Sequence, residues 1–284
     1  MTLLEAENLT VEYPGPVRAL DGLSLTLARG EVVGLLGANG AGKTTLIKAL
    51  CGLVIPQSGE IRWHVPEGRR PRVGVLLEGS RAFYWNLTGW ENAQYFAALK
   101  GLPETDLPAH LEELFRLVGL WEARDRVAGT YSSGMKKRLS LLIALLGSPD
   151  LLLLDEPTAE LDRASVYEFE AYLEKVARRG TAVLCATHVL SFAFTVSSRM
   201  LYLENGRLRP WDWAHLLGRH RRAIFLLGGE MPCAAQAEYA DYLRPLGDDR
   251  WQLEGETADP RLFATLSYLV SEAGLHLLQL HGVD

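Results

Sequence analysis

The stretch Gly37-Ala38-Asn39-Gly40-Ala41-Gly42-Lys43-Thr44 decides the fold of this 284-residue chain. It matches the full Gly-x-x-x-x-Gly-Lys-Thr phosphate loop. It lies between an apolar run, Val32 to Leu36, and a helical pattern in which Leu46, Ile47, Leu50 and Val54 share one face. Strand, loop and helix in that order are the context in which the motif has a mechanism. Backbone N–H groups of a glycine-rich turn converge with the positive end of the following helix and cage a polyphosphate. Lys43 adds a point charge aimed at the terminal phosphates. Thr44 offers a hydroxyl to the magnesium ion that a nucleoside triphosphate carries, since hard Mg²⁺ prefers oxygen donors. Gly37, Asn39, Gly40, Ala41, Gly42, Lys43, Thr44 and Thr45 are therefore assigned to the triphosphate.

Outward from the loop, apolar runs and helical stripes alternate. Val73 to Leu77 reads as a buried strand ending at Glu78, and Leu151 to Leu154 and Ala182 to Ala186 have the same character. Between the last two lies a helix with Val166, Phe169, Leu173 and Val176 on one stripe, stopped by Arg178-Arg179-Gly180. Strands alternating with helices predict an α/β fold with a mostly parallel sheet. Leu3 to Leu27 reads as short alternating strands around a turn at Tyr13 to Pro16, and Gly52 to Gly59 as a turn-rich exit from the loop helix. From about Gly89 to Leu120 the pattern is helical, with Tyr95, Phe96, Leu99 and Leu102, then Leu111, Leu114, Phe115 and Val118. Met200 to Leu208 reads as a hairpin with Asn205-Gly206 at its tight turn. A boundary near Pro210 separates a nucleotide-binding domain, 1–210 with a helical subdomain at about 79–145, from a small α+β module, 211–284. That module is expected to hold strands at Ala223 to Leu227 and Trp251 to Leu253, a helix from Pro260 to Ala273 and a strand at Leu275 to Leu280.

Bulk properties narrow the function. The chain is 48% hydrophobic, enough for a sizeable core, and its net charge of −6 disfavours nonspecific nucleic-acid binding. Cys51, Cys185 and Cys233 are scattered without metal spacing, which fits a reducing compartment. The start lacks a basic, apolar leader, and no apolar run approaches the roughly 20 residues of a spanning helix. A soluble chain is expected, with any membrane association made through a partner.

A phosphate loop alone does not say what happens to the phosphate. Leu151-Leu152-Leu153-Leu154-Asp155-Glu156 supplies two carboxylates at the edge of a strand buried on both faces, where they are costly unless they meet a cation or solvent. Asp155 is the magnesium partner, directly or through water, and Glu156 the general base that polarises an attacking water. The structural alternative has Glu156 cap the turn at Pro157. A third element, Tyr131-Ser132-Ser133-Gly134-Met135, opens a helix with Leu139, Leu142, Ile143 and Leu146 on one face. A Ser-Gly-rich helix start is a second anion site by the same dipole logic. In isolation it would be an ordinary serine N-cap.

With these motifs in this order, residues from about Leu3 to Leu208 resemble the nucleotide-binding subunits of ATP-binding cassette transporters. The resemblance implies a P-loop NTPase cassette with an antiparallel β subdomain and a helical subdomain, ATP and Mg²⁺ as ligands, and ATP hydrolysis coupled to transport. It makes residues 131 to 135 the family's signature, usually Leu-Ser-Gly-Gly-Gln, in which Ser132 and Gly134 match and Tyr131, Ser133 and Met135 differ. The Tyr-Ser-x-Gly-Met form is similar to the branch serving polysaccharide and drug exporters. The signature contacts the triphosphate held by a second subunit, so the resemblance implies an ATP-dependent head-to-tail dimer, here a homodimer. It further implies separate transmembrane permease subunits and a place on the cytoplasmic face of the cell membrane. Tyr13 matches the aromatic that stacks on adenine, or else packs the turn at Pro14. His188 matches the switch histidine at the γ-phosphate, and Asp162 the loop coupling the two sites. Glu78 departs from the family's usual glutamine, a magnesium and water contact; glutamate keeps an oxygen ligand, and its added charge either tightens magnesium binding or repels the γ-phosphate.

Two surface features stay open between readings. Arg81-Ala82-Phe83-Tyr84-Trp85-Asn86 is either core of the helical subdomain or part of a socket for a partner's short helix. Arg219-His220-Arg221-Arg222 is a solvated helix end or a contact for anionic lipid. The leading function is the ATPase of an exporter. The alternatives are a soluble cassette ATPase acting on nucleic acid or ribosomes, whose relatives carry paired cassettes or a coiled-coil insertion, and a nucleotide-gated module that binds without hydrolysing. No nucleic-acid partner is expected.

Overall fold

Alternating leucines build the first two strands, because successive side chains of a strand point to opposite faces. β1 (Thr2–Tyr13) buries Leu4, Ala6, Leu9 and Val11, and β2 (Val17–Ala28) buries Leu23, Leu25 and Leu27. They pair antiparallel, and each runs twelve residues, longer than the short strands expected. Register shifts between Ala6 and Val11, with Asn8 at φ 52°, let the ribbon twist without breaking. β3 (Val32–Leu36) is buried along its whole length and leads through the phosphate loop into α1 (Lys43–Leu50). β4 (Ser58–Trp63) then pairs with β1, giving a three-stranded sheet in the order β2-β1-β4. It starts inside the segment read as turn.

The computed structural model describes residues 1–15, 17–77, 83–159, 161, 163–209, 222–229, 231, 232, 235, 236, 239–247, 249–256, 262, 265, 266, 269 and 276–283. β5 (Val73–Leu76) is followed by two helices, α2 (Gly89–Leu99) and α3 (Leu107–Leu117), where one helical pattern was read. Gly101 at φ 67°, with Pro103 close behind, ends the first of them. α2 starts at a capping box: Glu91 N–H donates to Thr88 Oγ1 (3.1 Å) and Thr88 N–H to Glu91 Oε2 (2.8 Å).

α4 (Ser133–Leu145), β6 (Leu151–Asp155), α5 (Arg163–Arg178), β7 (Ala182–Thr187) and α6 (Leu190–Val196) follow, then the hairpin of β8 (Arg199–Glu204) and β9 (Arg207–Arg209). Asn205 (φ 48°) and Gly206 (φ 75°) make the tight turn with the positive φ it requires. The six strands order as β5-β6-β7-β3-β8-β9, parallel throughout except for β9. Every residue of β3, β6 and β7 is buried, as parallel strands covered on both faces must be. The C-terminal ends of these three strands deliver Gly37, Glu156 and His188 to one edge of the sheet, where open α/β sheets bind ligands.

The chain forms two compact units. One takes Met1–His188 and Val196–Arg209; the other takes Val189–Thr195 and Pro210–Asp284, so a short segment from inside the expected 1–210 domain counts with the second unit. In the second unit β10 (Arg222–Gly228), β11 (Leu243–Gly247), β12 (Arg250–Glu256) and β13 (His276–Val283) form an antiparallel sheet in the order β11-β12-β10-β13. Phe225, Leu227 and Leu253 pack in one cluster with Leu262, Leu266 and Leu269. The last three are helical, at the spacing of a single helix face.

Candidate nucleotide site

The phosphate loop is shaped by backbone that passes too close for side chains. A Cβ on Gly37 would lie 2.5 Å from the carbonyl oxygen of Leu203 in β8, and one on Gly42 would lie 2.3 Å from that of Ala19 in β2. Gly206 leaves room for the same Ala19 oxygen, and its N–H donates to Ala41 O at 3.1 Å. The loop is thus held between β2 and the β8–β9 hairpin. Gly40 (φ 81°) and Gly42 (φ 111°) supply the backbone angles that an L side chain resists. Lys43 is buried, and its Nζ donates back across the loop to Gly37 O (2.7 Å) and Ala38 O (3.3 Å). Two carbonyl oxygens at the start of the loop therefore hold its charge over the loop.

The carboxylates at the end of β6 meet this loop. Thr44 Oγ1 donates to Asp155 Oδ2 at 2.7 Å, joining the first helical turn of α1 to the strand edge with a pair of hard oxygen donors. Glu156, buried at the next position, has φ 46°, a left-handed conformation that carries strain in a non-glycine residue. Its N–H donates to Ala186 O at 2.8 Å, which fixes the turn. Its carboxylate accepts from Thr187 Oγ1 (3.1 Å), His188 N–H (3.3 Å) and His188 Nδ1 (2.9 Å), with Lys43 Nζ at 3.8 Å. Burial and the nearby charges of Glu156 and Asp155 push the Cys185 thiol far up, so it stays neutral beside them. A pocket of about 370 Å³ opens here, lined by Tyr13, Asn39, Gly40, Gly42, Lys43, Thr44, Thr45, Asp155 and Glu156 among others. Gly37 and Ala41 shape the loop behind it.

Thr187 and Lys137 escaped the sequence reading. Thr187 is fully buried and donates to Glu156, and Lys137 Nζ donates to the Glu156 carbonyl at 3.3 Å. The signal for Thr187 was its place at a strand end directly before His188. Ser132 and Gly134 are not among the residues lining the pocket. Ser132 caps α4, accepting from Met135 N–H at 3.3 Å, and a Cβ on Gly134 would meet Ser165 Oγ at 2.7 Å. Tyr131 is buried, its hydroxyl donates to Ala123 O at 2.7 Å, and Gly89 leaves the space that hydroxyl fills. The aromatic stretch divides: Phe83 is buried, whereas Tyr84 and Trp85 are about half exposed. Glu78, Asp162, Arg81, Ala82 and residues 219–221 lie outside the described residues.

A family model described as "ABC transporter" matches residues 20–159, from β2 through the loop to the turn after Glu156. The ABC transporter ATP-binding protein NatA of Bacillus subtilis (strain 168) is 33% identical over 214 residues, 73% of this chain and 87% of that protein. The chain belongs to the ABC transporter family. It is the ATP-binding subunit of such a transporter and an ATPase, and the expected P-loop cassette fold is borne out. The bacitracin transport ATP-binding protein BcrA of Enterococcus faecalis is 34% identical over 213 residues, 72% of this chain and 68% of its own length. The cobalt import ATP-binding protein CbiO of Rhodobacter capsulatus is 34% identical over 216 residues, 72% of this chain and 77% of its own. Among solved structures, cbiO1 from Clostridium perfringens, part of the ABC transporter complex cbiONQ, superposes with a TM-score of 0.67 at 26% identity, covering 74% of this chain and 87% of that one. The dimeric ATP-binding cassette MJ0796 in a post-hydrolysis state with ADP and Pi has the same fold, with a TM-score of 0.64 at 22% identity over 73% of this chain and 97% of that one.

Proposed function

We propose that this ATPase powers an exporter, two copies closing head to tail on ATP and driving separate membrane-spanning subunits from the cytoplasmic face. The observation that carries the hydrolytic reading is Glu156, a buried carboxylate held by Thr187 and His188 within 3.8 Å of the Lys43 ammonium. In that reading the loop from Gly37 to Thr45 binds the triphosphate and Tyr13, 39% exposed at the pocket's rim, stacks on adenine. Thr44 and Asp155 fit Mg²⁺, being hard oxygen donors beside the loop, and the ion would neutralise phosphate charge when bound. Water attacks the γ-phosphorus, the bond to the β-phosphate oxygen breaks, and Glu156 takes the proton the water gives up. His188 Nδ1–H donates to Glu156, and in the imidazolium form Nε2–H is a second donor for the γ-phosphate.

The dimer reading is supported by Ser132 and Gly134, which head α4 yet do not line their own chain's pocket. A second copy gives those N-terminal amides a triphosphate to meet. Among the described residues no helix is long and apolar enough to cross a membrane, which fits a partner-borne transport path. Export rests on the Tyr-Ser-Ser-Gly-Met motif, because relatives named for bacitracin transport and for cobalt import are equally similar at 34% identity. A nucleic-acid role is disfavoured by the net charge of −6 and by α2 and α3, eleven residues each, where a long coiled coil would otherwise stand.

The test is Glu156→Gln, which keeps shape and removes the base. Turnover is expected to fall by about 10²- to 10⁴-fold, the usual contribution of a general base. ATP binding should persist, and the mass in solution should shift from monomer to dimer when ATP is added. Unchanged turnover would remove Glu156 from its role, and a variant that binds ATP yet stays monomeric would count against the shared-site reading.

A further inference from the structure

A cavity of the first unit lies away from the phosphate loop, at the N-terminal ends of the strands whose C-terminal ends form the nucleotide site. Arg29, Arg72, Asp150 and Thr181 line it, preceding β3, β5, β6 and β7. Its volume, about 920 Å³, falls within the range of small-molecule sites. Leu114 and Leu117 of α3, Leu145 of α4 and Val176 of α5 give it an apolar wall. Arg29, Arg69, Arg72 and Arg179 face only two carboxylates in its lining, Asp150 and Glu113. The surplus is positive in a chain whose net charge is −6.

The arginines are unequally satisfied. Asp150 is buried and pairs with Arg29 at 3.2 Å and with Arg69, and Glu113 pairs with Arg179 at 2.7 Å. Burial works to raise the Asp150 carboxyl, but the Arg72 N–H and the Arg69 and Arg29 side chains outweigh it and hold the group below its ordinary value. Asp150 is thus a fixed anion whose capacity is shared by two guanidiniums. Arg72 is exposed and its guanidinium makes no ion pair among the described residues, and Arg69 Nε is buried without an acceptor. His110 adds no charge: burial lowers its pKa, and its Nε2 accepts from Gly147 N–H at 3.3 Å.

We propose that this cleft is a second ligand site, distinct from the nucleotide site, for a small amphiphilic anion. The anionic head, a phosphate or carboxylate, pairs with Arg72 and Arg69. The apolar body lies against Leu114, Leu117, Leu145 and Val176. Planar guanidiniums suit either head group, since both present oxygens to a bidentate fork.

The experiment titrates the full chain by calorimetry with octyl phosphate, inorganic phosphate and octanol, in saturating ADP so that the phosphate loop does not contribute. Octyl phosphate should bind at about 0.1 mM or tighter and at least about tenfold more tightly than either fragment, a gap of about 1.4 kcal/mol. Arg72→Gln should weaken it by about ten- to a hundredfold, the loss of one charged hydrogen bond, with ADP affinity unchanged as proof of folding. Octanol binding as well as octyl phosphate would remove the charged head from the proposal, and inorganic phosphate binding as well would remove the apolar wall. Failure of octyl phosphate to bind below about 1 mM, or indifference to Arg72→Gln, would overturn the site outright. Arg72-dependent sedimentation with anionic phospholipid vesicles, without binding of octyl phosphate, would make the arginines a membrane contact and refute a ligand cleft.

Discussion

Gly42→Ala separates two costs that the phosphate loop imposes on a side chain. The first is backbone conformation: φ of 111° costs a non-glycine residue about 1–3 kcal/mol. The second is overlap, because the new Cβ would stand 2.3 Å from Ala19 O and 3.3 Å from Leu20 Cδ2. Ala19 O is a backbone atom set between two glycines, since a Cβ on Gly206 would also come within 2.9 Å of it. Overpacking of that kind adds about 1–3 kcal/mol, or the loop shifts by about an ångström and the amides leave their positions. The expected loss is about 2–6 kcal/mol, and at about 2–4 °C per kcal/mol the melting temperature drops by at least about 4 °C. A loop that shifts instead loses at least one charged hydrogen bond to the triphosphate, about 1.5–3 kcal/mol, which weakens ATP binding by about ten- to a hundredfold. Gly40→Ala is the control: φ is 81°, but nothing lies within 4 Å of its added Cβ, so only the backbone cost applies. Thermal melts and ATP calorimetry on both variants decide the matter. If Gly40→Ala is hurt as much as Gly42→Ala, or if Gly42→Ala matches wild type in both assays, the contact with Ala19 does not shape the loop.

Three more outcomes are expected. Tyr131→Phe leaves the part-buried Ala123 carbonyl without its 2.7 Å donor and should cost about 0.5–1.5 kcal/mol in urea unfolding, with ATP affinity unchanged; equal stability would mean the hydroxyl does not anchor the turn. Burial pushes the Glu170 carboxyl up to about 7 from 4.5, so between those values the folded chain keeps a proton the unfolded chain has released, and stability falls as pH rises through that window. Glu170→Gln should therefore gain about 1–2 kcal/mol at pH 8, after allowance for partial exposure, and nothing near pH 4; a pH-independent difference would contradict this. Thr44→Val removes the hydroxyl facing Asp155 and should weaken ATP binding in Mg²⁺ while leaving binding in EDTA unchanged; equal losses in both buffers would mean the hydroxyl serves only the fold.

Much of this fold was legible because its strands are chemically extreme. Val32 to Leu36, Leu151 to Leu154 and Ala182 to Ala186 are apolar runs that only a sheet covered on both sides accommodates, and all became parallel strands. The elements that escaped lie where the pattern is weak. β4 is mostly exposed and starts with Ser-Gly, so it lacks alternation. β11 holds Pro245 and Gly247, acceptable only because it is an edge strand. α6, Leu-Ser-Phe-Ala-Phe-Thr-Val, is short and rich in residues that favour strands. In the site, the loop, Asp155 and Glu156 were legible because their residue types have few other uses at strand ends. Thr187 was not, because a buried threonine at the end of a strand has ordinary reasons to be there.

The geometry also ties the two anion sites of the sequence to one helix. α4 begins at the Ser132 cap with Gly134 in its first turn, and one turn later Lys137 reaches the Glu156 carbonyl at 3.3 Å. Glu156 is therefore held through its carboxylate by Thr187 and His188 and through its backbone by α4. Its left-handed φ persists because contacts on both sides over-determine it. In the head-to-tail dimer proposed above, the first turn of α4 would serve one triphosphate while its second turn holds the backbone of Glu156 at the other, so a shift of the helix axis would be felt at both. Under that proposal the link would let a pair of such chains hydrolyse ATP only when closed.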